Sequence, residues 1–186
     1  LPLKPSVRSV AVIGSLATHQ ADWQYTENAG LPRVISPRLT DALAAILGSR
    51  VRVTAAAGFA THCSLAAGDT AGAVATARAA DVAVVMLGEY CEQYGEGTSR
   101  AHLDLPAHQQ ALLDAVIATG KPVVVIMHTS RPFVLTRFIN RVAAVIQAFH
   151  LGTEGRTAIA EVLAGRTNPS GKLPMTMPRA TGQVPI

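Results

Sequence analysis

Two stretches of this 186-residue chain, VAVVML at 82–87 and VVVIM at 123–127, are apolar at every position. A strand with one face in water alternates apolar and polar residues, whereas a run without polar positions must have both faces covered, as in a parallel sheet under helices. These runs belong to strands read as Asp81 to Leu87 and Pro122 to Met127. Three further β-branched runs, Val7 to Ile13, Val51 to Thr54 and Ala143 to Ala148, bring the number to five. Helical patterns lie between them. Ser36-Pro37 reads as an N-cap and first-turn proline ahead of LTDALAAIL, which stops at Gly48; a second helix covers Asp69 to Ala80; the third runs from Pro106 to Gly120 and the fourth from Thr153 to Gly165. Strand-helix alternation with right-handed crossovers predicts a doubly wound, mostly parallel α/β sheet with helices on both faces and flavodoxin-like layering. No linker interrupts the pattern, so residues 1–186 read as one domain. Residues 168–186 form an extended tail with room for one edge strand around Leu173 to Met177, and that strand would be the sixth.

Composition removes several functions. Hydrophobic residues make up 49% and charged ones 15%, the balance of a core-forming chain and not of a disordered one. The net charge of +4 comes from arginines scattered from Arg8 to Arg179, and with aromatics at only 4% there is neither a basic stripe nor a stacking surface for nucleic acid. Cys63 and Cys91 lack metal-ligand spacing and read as free thiols, and the six histidines stand singly, so no metal and no cofactor are expected. No apolar run approaches the roughly 20 residues of a membrane span, and Leu1-Pro2-Leu3-Lys4-Pro5 does not read as a signal peptide, which leaves the compartment open. G-x-G-x-x-G, G-x-x-x-x-G-K-[ST] and G-x-S-x-G are all missing, which argues against a dinucleotide site, a P-loop and a hydrolase elbow.

Ligands of open α/β sheets sit at the carboxyl ends of the strands. There the chain carries Gly14-Ser15 after the first strand, Gly88 to Gly97 after the third, His128-Thr129-Ser130-Arg131 after the fourth and His150 to Gly155 after the fifth. The stretch after the third strand is acidic: Glu89, Glu92 and Glu96 place 3 of the 12 acidic residues within eight positions. One reading is a solvated acidic loop. The other is a carboxyl group on a glycine-flanked arm, Gly95-Glu96-Gly97, able to reach out from the rim and protonate a leaving group. Glu89 follows the strand directly and reads as held by neighbouring backbone or by Arg100.

The ordered series VRSVAVIGSLA (7–17), ADVAVVMLGE (80–89), GEGTSRAHLDLPAHQQALLDAV (95–116), GKPVVVIM (120–127), RPFVL (131–135) and AFHLGTEGRTAIAEVLAGRTNPSGKLPMTMPRATGQVP (148–185) resembles the second domain, the (α/β)6 sandwich, of family 3 glycoside hydrolases, the β-glucosidase and β-xylosidase group. The resemblance implies a six-stranded sheet whose last strand can be antiparallel. It also implies a retaining enzyme whose active site lies between two domains, a TIM-like barrel with an Asp nucleophile and this sandwich with the general acid/base. By the family's G-E-x-x-S-R pattern, the acid/base is Glu96, acting on terminal β-D-glycosides; Glu92 is the substitute. Glu89, which matches the family's V-G-E, is implied to support the loop together with Arg100 and Arg131. Trp23, the only tryptophan, lies where relatives often carry an aromatic facing the sugar's leaving-group side, which makes it a substrate-binding residue. Relatives read N-G-R-P after the fourth strand where this chain has Thr129-Ser130-Arg131-Pro132. The family's barrel is absent from these residues, so the expectation is an excised domain, a truncation or one half of a split enzyme, inactive alone and partnered by the barrel. The alternative is a non-catalytic α/β domain that packs on a partner barrel.

Overall fold

In the computed structural model, residues 1–18, 36–59, 68–89, 95 and 97–183 are described. They contain five strands, β1 (Ser9–Ile13), β2 (Arg52–Ala56), β3 (Val82–Gly88), β4 (Val123–His128) and β5 (Ala144–Gln147), in the order β2-β1-β3-β4-β5. All four pairings are parallel, with registers such as Val12↔Val84, Val85↔Val125 and Ile126↔Ile146. The runs without polar positions are the inner strands: β1, β3 and β4 are buried throughout, while the edges β2 and β5 are only partly covered. That is the pattern of a parallel sheet sandwiched between helices.

The helices are α1 (Ser15–Thr18), α2 (Leu39–Leu47), α3 (Thr70–Arg78), α4 (Ala107–Ile117) and α5 (Gly155–Ala164). The pair α2 and α5 pack on each other, as do α3 and α4. Right-handed crossovers require this split, because β1 to β2 runs toward one edge of the sheet and β2 to β3 and β3 to β4 run toward the other. One apolar core joins both layers, with Ile13, Leu39, Leu43, Met86, Leu112, Ile126, Phe133 and Phe138 fully enclosed. The amino ends of β1 and β3 are tied by Asp81, whose carboxylate accepts the Arg8 and Ser9 amides at 2.8 and 2.9 Å. No helix among the described residues is long and apolar enough to cross a membrane.

Two expectations are corrected. Among the described residues the sheet has five strands, because Leu173–Met177 makes no ladder. Pro174 and Pro178 remove backbone donors there, and most of this segment is exposed, so no covered face rewards pairing with β5. The second correction concerns Ser36-Pro37: α2 begins at Leu39 with Arg38 as its N-cap, and Ser36 turns inward, 1% exposed, to another partner. The segment Pro132 to Asn140, between β4 and β5, has no regular element until a turn at 136–138 leads into a short 3-10 turn at Ile139–Arg141.

Candidate active-site rim

In the order β2-β1-β3-β4-β5 the chain reverses direction between β1 and β3, and the crevice at their carboxyl ends is where such sheets bind ligands. A glycine that the packing demands follows β1 directly and another ends β3. Gly14, at φ 114°, stands so close to Met86 that a Cβ would run into the Met86 carbonyl oxygen; Gly88, at φ 148°, stands likewise against the His128 carbonyl oxygen. Neither backbone shape nor space admits a side chain. Adjacent strand ends can therefore close together, and Ser15 and Glu89 follow neighbouring strands.

Glu89, the first residue beyond β3, is 1% exposed and lies at the centre of a polar hub. Its Oε2 accepts the Ser130 amide at 2.7 Å and the Ser130 hydroxyl at 2.6 Å, and its Oε1 faces Arg131 Nε at 3.2 Å and Arg100 Nη1 at 3.6 Å. The backbone adds a bond from the Glu89 amide to the His128 carbonyl at 3.0 Å. Ser130 is thus the residue whose hydroxyl makes the Thr-Ser-Arg-Pro variant useful: it gives this carboxylate a second donor from the β4 loop. Arg100 also lies over the Phe133 ring, 5.1 Å from its centroid, and donates to the Asp104 carbonyl at 3.1 Å. One buried carboxylate so joins the end of β3, the β4 turn and the segment that begins just past Gly97.

From below, Gln109 of α4 secures the same strand end. Its amide, completely buried, gives 2.7 Å to the Gly88 carbonyl and takes 2.8 Å from the Gly88 amide. A glutamine in the first turn of a helix carries no mark in sequence that distinguishes it from a solvated one, and this contact was not foreseen. Gly95 and Gly97, both exposed and at φ 120° and 77°, flank Glu96, and Thr98 returns to the Gly95 carbonyl with its amide at 3.3 Å and its hydroxyl at 2.7 Å. Glu96 itself, together with Trp23, Glu92, Cys63 and Cys91, lies outside the described residues.

Next to the hub sits a histidine pair. The His128 and His150 rings lie 4.5 Å apart at 53°, and His128 is 3% exposed. Burial, aided by the nearby His150 and Arg156 charges, pushes the His128 pKa from 6.5 down to about 3; burial also lowers that of His150, against the opposing pull of Glu89. The folded chain keeps His128 neutral, while the unfolded chain protonates it near pH 6.5. Stability from this residue is therefore complete above that pH and is lost as pH falls from 6.5 toward 3, by up to about 1.4 kcal/mol per pH unit. Urea unfolding at pH 7, 6 and 5 should show the gap between the native chain and a His128→Gln variant narrowing at roughly that rate; parallel curves would show that His128 is protonated in the fold.

The fold and its rim define a class: a doubly wound α/β sandwich with a braced, polar rim at the carboxyl ends of β3 and β4. The family model for the "Glycosyl hydrolase family 3 C-terminal domain" matches residues 1–186, and the chain belongs to that family. A periplasmic beta-glucosidase of Salmonella typhimurium is 42% identical over 114 residues, which is 61% of this chain and 15% of that protein. A beta-xylosidase of Formosa agariphila is 33% identical over 195 aligned residues, covering all of this chain and 26% of the relative. Among solved structures, the beta-glucosidase of Listeria innocua in complex with isofagomine superposes with a TM-score of 0.81 at 29% identity over 100% of this chain and 25% of that one. The GH3 beta-glucosidase of Bifidobacterium adolescentis gives 0.81 at 31% identity over 97% and 26%. The chain thus spans about a quarter or less of the length of these relatives.

Proposed function

We propose that this chain is the sandwich domain of a retaining β-glucosidase-like glycoside hydrolase and supplies its general acid/base, Glu96, across an interface with a TIM-like barrel that carries an Asp nucleophile. The observation that supports the reading is the Glu89 hub, which ties the carboxyl end of β3 to the β4 turn and to Arg100, four positions past Glu96. A structural carboxylate so placed frees a second one, seven residues on between two exposed glycines, to face a substrate. In the first step the Asp carboxylate attacks the anomeric carbon while the Glu96 carboxyl gives its proton to the departing glycosidic oxygen. In the second, Glu96, now a carboxylate, takes a proton from water as that water displaces the Asp from the sugar. Retention requires the two carboxyl groups about 5–5.5 Å apart, so neither domain suffices alone. Trp23, on the neighbouring loop from β1, would stack on the sugar at the leaving-group side.

The test is hydrolysis of a panel of nitrophenyl β-glycosides by the chain alone and by the chain joined to a barrel domain of the same family. Turnover only in the joined protein is the expected result. Turnover by the chain alone would place a nucleophile among its own acidic residues and overturn the two-domain mechanism; no turnover in either would favour a non-catalytic interaction domain.

A further inference from the structure

Arg156 breaks three local rules at once. It is the second residue of α5, where the helix dipole disfavours a cation; it is 3% exposed; and no carboxylate lies within ion-pair distance of it among the described residues. Burial alone lowers its pKa from 12.5 to about 10, still leaving it charged at neutral pH. A buried charge with no counter-ion among the described residues needs a reason, and residues that violate local preference concentrate where function demands it.

Its contacts supply the reason. Nη2 donates to the Leu16 carbonyl of α1 at 2.8 Å, and Nη1 reaches the Ser36 hydroxyl at 3.4 Å. Leu16 and Ser36 stand close to either end of residues 19–35, the β1 loop in which Trp23 lies. One planar guanidinium from the β5 side of the sheet so holds the exit and the return of that loop, a geometry that a flexible ammonium cannot reproduce with both arms. The adjoining cavity, lined by Met86, His128, Leu151, Gly152, Gly155 and Arg156, is only about 10 Å³. It has room for about one water and none for a sugar. The side chain therefore acts on other residues, not on substrate.

We infer that Arg156 is a positioning residue that fixes both anchors of the β1 loop and thereby sets how the rim presents its sugar-binding side. The inference rests on the glycosidase reading for its effect on substrate, and on the two bonds alone for the clamp itself. The experiment uses the barrel-joined protein with Arg156→Met, which fills the site without donors, and Arg156→Lys, which keeps the charge but only one donor nitrogen and guards against a misfolded Met variant. Amide hydrogen exchange reads the clamp. In Arg156→Met, the Ala17 and Thr18 amides, which bond to Gly14, should exchange about tenfold faster while those of residues 83–87 change by less than about twofold. Steady-state kinetics on a nitrophenyl β-glucoside reads the positioning: KM should rise about fivefold with kcat within about twofold, and Arg156→Lys should fall between. Unchanged exchange at Ala17 and Thr18 would overturn the clamp. Faster exchange across β3 as well, or an unchanged KM, would reduce Arg156 to a general structural role. A native joined protein with no turnover would remove the glycosidase reading, and the exchange data would then decide on the clamp by themselves.

Discussion

Glu96→Gln in the barrel-joined protein should cut kcat/KM on β-glycosides with poor leaving groups by about 10²–10⁴, the range that a lost general acid commands. The substitution keeps the size and a hydrogen-bonding amide but removes the transferable proton. An alkoxide leaving group cannot depart without one; a nitrophenolate can, so formation of the glycosyl-enzyme from a nitrophenyl glycoside should fall far less. The second step is different. Water must still be deprotonated as it attacks, so the glycosyl-enzyme should accumulate and turnover should stall whatever the leaving group. Azide attacks without losing a proton, and adding it should restore much of the turnover on the activated substrate and release a glycosyl azide of retained configuration. Glu92→Gln is the matched control, four residues away in the same acidic stretch. If Glu96→Gln leaves rates within a few-fold for every leaving group while Glu92→Gln does not, the acid/base is Glu92; if neither matters, the catalytic acid is not in this loop.

What the sequence discloses follows from what each signal depends on. Inner strands were legible because burial on two faces writes an uninterrupted apolar run, and β3 and β4 fall within a residue of VAVVML and VVVIM. The strand expected at Leu173–Met177 rested on apolar content and the family resemblance, and Pro174 within it and Pro178 just after it prevailed. Ser36-Pro37 had the composition of a helix start, yet the Ser36 hydroxyl lies within reach of an arginine 120 residues away, a contact that no local pattern encodes. The rim divides in the same way. An acidic loop after a strand is visible in sequence, and so is an arginine near it. Gln109 and Arg156 are not, since their importance lies in being buried, and a polar residue near a helix start reads equally well as solvated.

Glu89 gives the largest expected loss of stability. Its side chain is fully enclosed, while the two guanidinium groups that face it, Arg100 and Arg131, retain 19% and 21% of their exposure. Glu89→Gln leaves an oxygen to accept from Ser130 but strips the one carboxylate that, among the described residues, faces the two cations at 3.6 and 3.2 Å. Removing one member of a buried pair costs 3–5 kcal/mol, and partial solvation of the arginines places this case near the lower end, at about 3 kcal/mol. For a chain of this size that is a fall in Tm of roughly 6–12 °C. Asp114 provides the comparison. It too faces two arginines, Arg137 at 3.4 Å and Arg141 at 2.6 Å, but these are 68% and 46% exposed, and Asp114→Asn should cost less than about 1 kcal/mol. Equal shifts for the two variants would show that the number of ion pairs, and not their burial, sets the stability of this rim. The Glu89 variant should also lose turnover at temperatures where its fold is intact, because Arg100 leaves the hub only four positions past Glu96. Loss of stability with full turnover would confine Glu89 to the fold and detach it from the placement of the acid.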